Sequence, residues 1–139
     1  MRSFVLSATA LSLFLIATPL SAVSAASWEP ATASGITAGA HHETFIVEAA
    51  VTLPQNCYAA RIRSTPISLH TPRSFYVEQL APSSPCASKT AYKCTVVSPD
   101  FPLPIPHQIE VVSKGPQRSK VTVSTEEEPN PAPPLCRKG

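Results

Sequence analysis

The chain has 139 residues, 43% of them hydrophobic, with 11 Lys and Arg against 9 Asp and Glu, and four cysteines. That balance points to no polyanionic partner. A nucleic-acid binder shows a basic face or stripe. Here Arg61 and Arg63 are the only close basic pair in a strand-like segment, where such a pair reads as a solvated face.

The chain opens "MRSFVLSATALSLFLIATPLSAVSAAS". Arg2 is the positive start, an apolar core follows, Pro19 breaks it, and small residues supply a cleavage site. This is the layout of a secretory signal peptide over residues 1–26, cut after Ala25 or Ala26. The apolar core is about 14 residues long, whereas a bilayer span needs about 20, so no transmembrane segment is expected in the mature chain. An exported chain with four cysteines, none in a CxxC arrangement, is expected to form two disulfides rather than a zinc or redox site.

Residues 27–42 are small and polar and read as a loose amino-terminal arm, with Trp28 free to dock or not. Residues 43–124 read as the folded domain. In "TFIVEAAVTL", Phe45, Val47, Ala49, Val51 and Leu53 share one face at period two, which predicts a strand. "PQN" is a turn, and "CYAARIR" resumes the alternation. The two segments make a hairpin or a corner where the chain changes sheets. Pro66 and Pro72 break the next stretch into loop. "SFYVEQL" and "TAYKCTVVS" are predicted strands, the second with Cys94 pointing inward beside Tyr92 and Val96.

"FPLPIP" at 101–106 places a proline at every second position of an apolar run. In an extended chain those prolines strip the amide donors from one side and leave the donors of Phe101, Leu103 and Ile105 on the other. The segment is therefore expected to be a sheet edge that buries apolar side chains yet resists a further strand. "QIEVVSKGPQRSKVTVS" is the clearest hairpin, with its turn at "KGPQ". Residues 125–139 are acidic and then proline-rich and read as an extended or mobile tail, apart from whatever Cys136 ties down. The sum is six or seven short strands and no helix in the mature chain. This predicts an all-β, immunoglobulin-like antiparallel β-sandwich, with a small closed barrel as the alternative.

"VEAAVTLPQNCYAARIR", then "YKCTVVSPDFPLPIP" and a last valine-rich hairpin, resembles a loose group of small exported bacterial β-sandwich proteins with an "LPNPC" turn after the first strand. Leu53, Pro54, Asn56, Cys57, Cys94 and Phe101 carry the resemblance, which spans Val47 to Ser124. This chain departs from the group at Gln55-Asn56 and adds Cys86 and Cys136. The resemblance implies a fold and a Cys57–Cys94 bridge, which would leave Cys86 to Cys136. The inward face of Cys94 favours the same pairing. The rival joins Cys86 to Cys94 and Cys57 to the tail.

No nucleophile elbow, no HExxH motif and no glycine-rich loop is present, so no catalytic or cofactor residue stands out and no cofactor is implied. His41 and His42 are adjacent and would point to opposite faces, while His70 and His107 lie in proline-rich loops, so no metal site is expected. The chain reads as a secreted or periplasmic, non-enzymatic protein-binding or inhibitory module, its partner another exported protein, with Arg61, Arg63, Arg73 and Tyr76 as candidate contacts. The alternative is an accessory structural subunit of an envelope assembly. A small hydrolase is a distant third.

Overall fold

The computed structural model describes residues 26–41, 44–65, 74–102, 107–115, 118–125 and 131–139. The expected signal peptide lies almost wholly outside them, as do Arg73, His42, His70 and the Leu103–Pro106 part of the proline run. The described residues are all-β, with no helix, and hence none long and apolar enough to cross a membrane.

Among the described residues nine strands form one mixed sheet: β1 (Glu29–Pro30), β2 (Thr32–His41), β3 (Thr44–Leu53), β4 (Ala59–Ser64), β5 (Ser74–Leu80), β6 (Tyr92–Val97), β7 (Phe101–Pro102), β8 (Gln108–Val112) and β9 (Ser119–Ser124). Their path is β1-β5-β8-β9-β2-β3-β6, with β4 also on β5 and β7 also on β3. β2 runs parallel to β9, and β5 parallel to β8. The expected purely antiparallel arrangement is therefore corrected to a mixed one. β9 joins the two halves, because Ser119–Thr122 pair with β8 while Val123 and Ser124 pair with β2. The turn after Leu53 is a corner between the halves, since β3 pairs with β2, β6 and β7 but not with β4.

The inward face of β3 is as its alternation predicts, with Phe45, Val47, Ala49, Val51 and Leu53 all buried. Phe45 of β3, Phe75 of β5 and Phe101 of β7 meet at ring-centroid distances of 5.9, 5.4 and 4.9 Å, which pins the two halves together. Such aromatic pairs add about 0.5–1.5 kcal/mol each beyond area burial. Phe101 and Pro102 pair with the start of β3, which is their one strand partner among the described residues. Buried Ser98 is satisfied: its Oγ accepts from the Val47 amide and donates to the Pro99 carbonyl, both at 2.9 Å.

The loose arm is corrected to strands. β1 lies on β5, and β2 pairs along its length with β3. β2 carries an irregularity between Ser34 and Thr37, where Gly35 takes φ 55°. That conformation suits glycine and lets the strand absorb an extra residue.

The tail is corrected as well. Residues 134–137 run between β4, which lies off the path on β5, and β6, at one end of the path. Thr95 N donates to Pro134 O at 2.8 Å, Cys136 N to Thr95 O at 2.8 Å, and Ala60 N to Arg137 O at 2.9 Å. The tail thereby bridges β4 and β6, which do not pair with each other as strands among the described residues.

The disulfides follow neither pairing weighed above. Cys57 bonds Cys86, and Cys94 bonds Cys136, with Cα separations of 5.8 and 5.0 Å. Cys94 does point inward. What lies against it is the tail, not the turn after β3.

Candidate functional site

On β4 and β5 the inward positions are Ala60, Ile62, Phe75, Val77 and Gln79, all buried. The alternate positions therefore face out. The register sets Arg61 opposite Glu78 and Arg63 opposite Tyr76. Arg61 Nε donates to Glu78 Oε2 at 2.8 Å, with Nη2 2.7 Å from the same oxygen. Arg63 Nη2 donates to Oε1 at 3.1 Å. One carboxylate thus holds two guanidinium groups.

Each guanidinium also covers an aromatic ring. Arg61 Cζ lies 3.9 Å from the centroid of a Trp28 ring, and Arg63 Cζ lies 4.7 Å from that of Tyr76. Both distances suit cation–π attraction. The result is a ladder across the outer face: Trp28, Arg61, Glu78, Arg63, Tyr76. Gly139 backs the tryptophan, where an added β-carbon would stand 2.6 Å from Trp28 Cζ2. Glycine is required for that close approach unless the chain moves.

Partial burial alone would raise the Glu78 carboxyl. The hydrogen bonds and charges of Arg63 and Arg61 outweigh it and hold the group below its ordinary pKa. Glu78 is accordingly a fixed anion that orders its neighbours, not a proton donor near neutral pH. Glu48, on the outer face of β3, is the opposite case. Burial pushes its carboxyl up, and its Oε1 has no hydrogen-bond partner among the described residues.

Next to the ladder, a groove of about 550 Å³ follows the seam between β4 and β6. Ile62 forms one side, Val97 and Pro99 the other, and Arg61, Leu135 and Lys138 line it as well. Leu135 is 58% exposed, the exposed large hydrophobic residue among those described.

Of the sequence candidates, Arg61, Arg63 and Tyr76 are brought together, and Arg73 lies outside the described residues. Trp28 and Glu78 are the members that sequence reasoning missed. Glu78 could have been found from the polar face of "SFYVEQL" once that segment is set antiparallel to "AARIRS". Among the described residues no three His, Cys, Asp or Glu side chains group as metal ligands, and all four cysteines are bridged. The chain matches no family model, no curated protein and no solved structure.

Proposed function

We propose that the chain is a non-enzymatic, exported module that binds another protein through the ladder face. The observation that carries this reading is the outward array of one tryptophan, two arginines and one tyrosine held in fixed geometry by Glu78. Trp, Tyr and Arg dominate interface hot spots, and a pre-ordered set loses less side-chain entropy on docking. Export is supported by the two disulfides, which persist in oxidising compartments, and by the signal-like start of the sequence. The non-enzymatic reading is supported by the bridged thiols and by a central carboxylate locked between two cations.

We read the two halves of the sheet as the layers of a sandwich, joined through β9 on one side and sewn by the tail on the other. The immunoglobulin-like assignment belongs to this proposal, and the two parallel pairings depart from that type. The accessory-subunit reading has less support, because residues 29–41 and 134–137 are taken up by the sheet and are not free for an assembly to hold.

The test is affinity capture from the secreted or periplasmic fraction of the source cells, with wild type, Arg63→Ala and Tyr76→Ala as baits. One partner in fixed stoichiometry, lost with both variants, is expected. No stoichiometric partner, or one retained by both variants, refutes the reading.

A further inference from the structure

The two disulfides differ in their surroundings. Cys94 and Cys136 are both buried, and the Cys136 amide donates to Thr95 O. Cys57 and Cys86 are only half-buried. Cys57 also lines a cavity of about 590 Å³, with Ala59, Leu80, Pro82, Arg137 and Lys138 among its other walls. A cavity of that size admits a small solute or a short peptide segment. A thiol can therefore reach the first bridge while the sheet is folded, whereas the second is covered.

The two sulfurs of the reachable bridge are held in different ways. Cys57 sits in a turn in which Tyr58 N donates to Gln55 O at 3.3 Å. Tyr58 packs on the core and Ala59 is buried, so this turn stands without the bridge. Cys86 lies in the loop of residues 81–91, between β5 and β6. Among the described residues the hydrogen bonds of that loop are internal, between Ser88 and Thr90 at 2.8 and 3.4 Å. The bridge is thus what ties the middle of the loop to the sheet.

We propose that Cys57–Cys86 is a thiol-exchange site, which an external dithiol opens while the sheet stays folded. One thiolate of the dithiol enters the cavity and attacks Cys57 Sγ. A new sulfur–sulfur bond forms there, the Cys57–Cys86 bond breaks, and Cys86 leaves with the electron pair and takes up a proton. The second thiolate of the dithiol then attacks its own first sulfur. This closes the dithiol into a disulfide and releases Cys57 as a thiolate, so two electrons pass from the dithiol to the bridge. Cys57 is the attacked sulfur because it lines the cavity and Cys86 does not. Arg137 and Lys138 line the same cavity, and nearby cations favour the thiolate form. Once the bridge is open, the loop is held only at its two ends. The site is separate from the ladder, and its failure would leave the ladder reading untouched.

The test is limited reduction by dithiothreitol, without denaturant, followed by alkylation and peptide mapping over time. Cys57 and Cys86 are expected to be alkylated together, roughly tenfold or more ahead of Cys94 and Cys136. At that stage the amides of Ala60, Thr95 and Cys136 should keep their protection from hydrogen exchange. Lys89 is exposed in the loop, and trypsin should cut after it roughly tenfold faster or more than in the bridged protein. Cys57→Ala with Cys86→Ala should show the same fast cut with no dithiol present. A monothiol, 2-mercaptoethanesulfonate, opens the bridge without completing the second step, and its early adduct is expected on Cys57. Reduction of both bridges together, or of Cys94–Cys136 first, overturns the proposal. So does loss of protection at the three amides as Cys57–Cys86 opens, because that bridge would then be holding the sheet. An unchanged cut at Lys89, or an early adduct on Cys86, overturns it as well.

Discussion

Removing the Cys94–Cys136 bridge tests the claim that the tail bridges β4 and β6. The bridge spans a sequence separation of 42 residues. Loop-closure entropy then assigns it about 4 kcal/mol. Cys94→Ala with Cys136→Ala avoids burying a new hydroxyl and adds about 1 kcal/mol of lost packing. Without the bridge the tail keeps three main-chain hydrogen bonds to β4 and β6. At about 0.5–1.5 kcal/mol net each they give about 1.5–4.5 kcal/mol. Fixing the backbone of residues 134–137 costs about 1–2 kcal/mol per residue, which is more. The tail is therefore expected to leave the seam while the rest of the sheet stays folded. The amides of Ala60, Thr95 and Cys136 donate those three bonds, so hydrogen exchange reads the event directly. All three should lose protection together. In urea, with a slope of about 1.5 kcal/mol/M, a total loss of about 5 kcal/mol lowers the midpoint by about 3.3 M. Peptide mapping without reduction comes first and should return Cys57 with Cys86 and Cys94 with Cys136. Native-like protection of the three amides with an unmoved midpoint refutes the reasoning.

Phe101→Ala removes the ring that bridges Phe45 and Phe75, and chemical denaturation should show a loss of about 3–5 kcal/mol; a loss under about 1 kcal/mol would mean that the trio does not join the halves. Glu78 has its carboxyl pKa held down by its two arginines, so its contribution is present above the unfolded-chain value of about 4.3 and fades as pH falls through the lower folded value. Glu78→Gln should flatten that acid limb of a stability–pH profile, and an unchanged limb counts against the ladder. Glu48 has the opposite sign. Its raised folded pKa makes ionisation destabilising, with no penalty below the unfolded value and a growing one as pH rises through the folded value. Glu48→Gln should therefore raise stability at neutral pH and lose that advantage in acid; a variant weaker than wild type at neutral pH contradicts the assigned burial.

The strands that could be read from sequence are those whose inward residues are bulky. β3 places Phe45, Val47, Val51 and Leu53 inward, and β5 places Phe75 and Val77, so period two is visible. β2 hides the same pattern in two ways. Its inward side chains are mostly small, because it lies between β3 and β9, where Ala38 faces Val47 on one side and Val123 on the other. Its phase also shifts. Ala33 packs on the core before Gly35, while Ile36 and Ala38 pack on it after, so odd positions give way to even ones across the irregularity. A strict alternation template reads such a strand as loop. The tail escapes for another reason. "PAPPLCRKG" has no face of its own, and its place depends on one thiol and three main-chain bonds to strands far away in the chain. The inward position of Cys94 was legible, but its partner was not, since nothing local says which distant segment will lie beside β6.

The candidate site divides along the same line. Arg61, Arg63 and Tyr76 stand out as polar-face residues of predicted strands, yet their common purpose needs the β4–β5 register, which sets Glu78 between the two arginines. Trp28 reaches the ladder only because the arm is ordered on β5 and the chain's last residue backs its ring. The ladder and the groove thus depend on the two segments that look least structured. An arm without bulky residues and a tail without alternation each lack a reason to fold alone. Both become ordered here because β5, β6 and β3 expose edges that would otherwise be open to strands of other molecules. Closing those edges also fixes Trp28, so the same contacts that guard the fold build the surface we assign to binding.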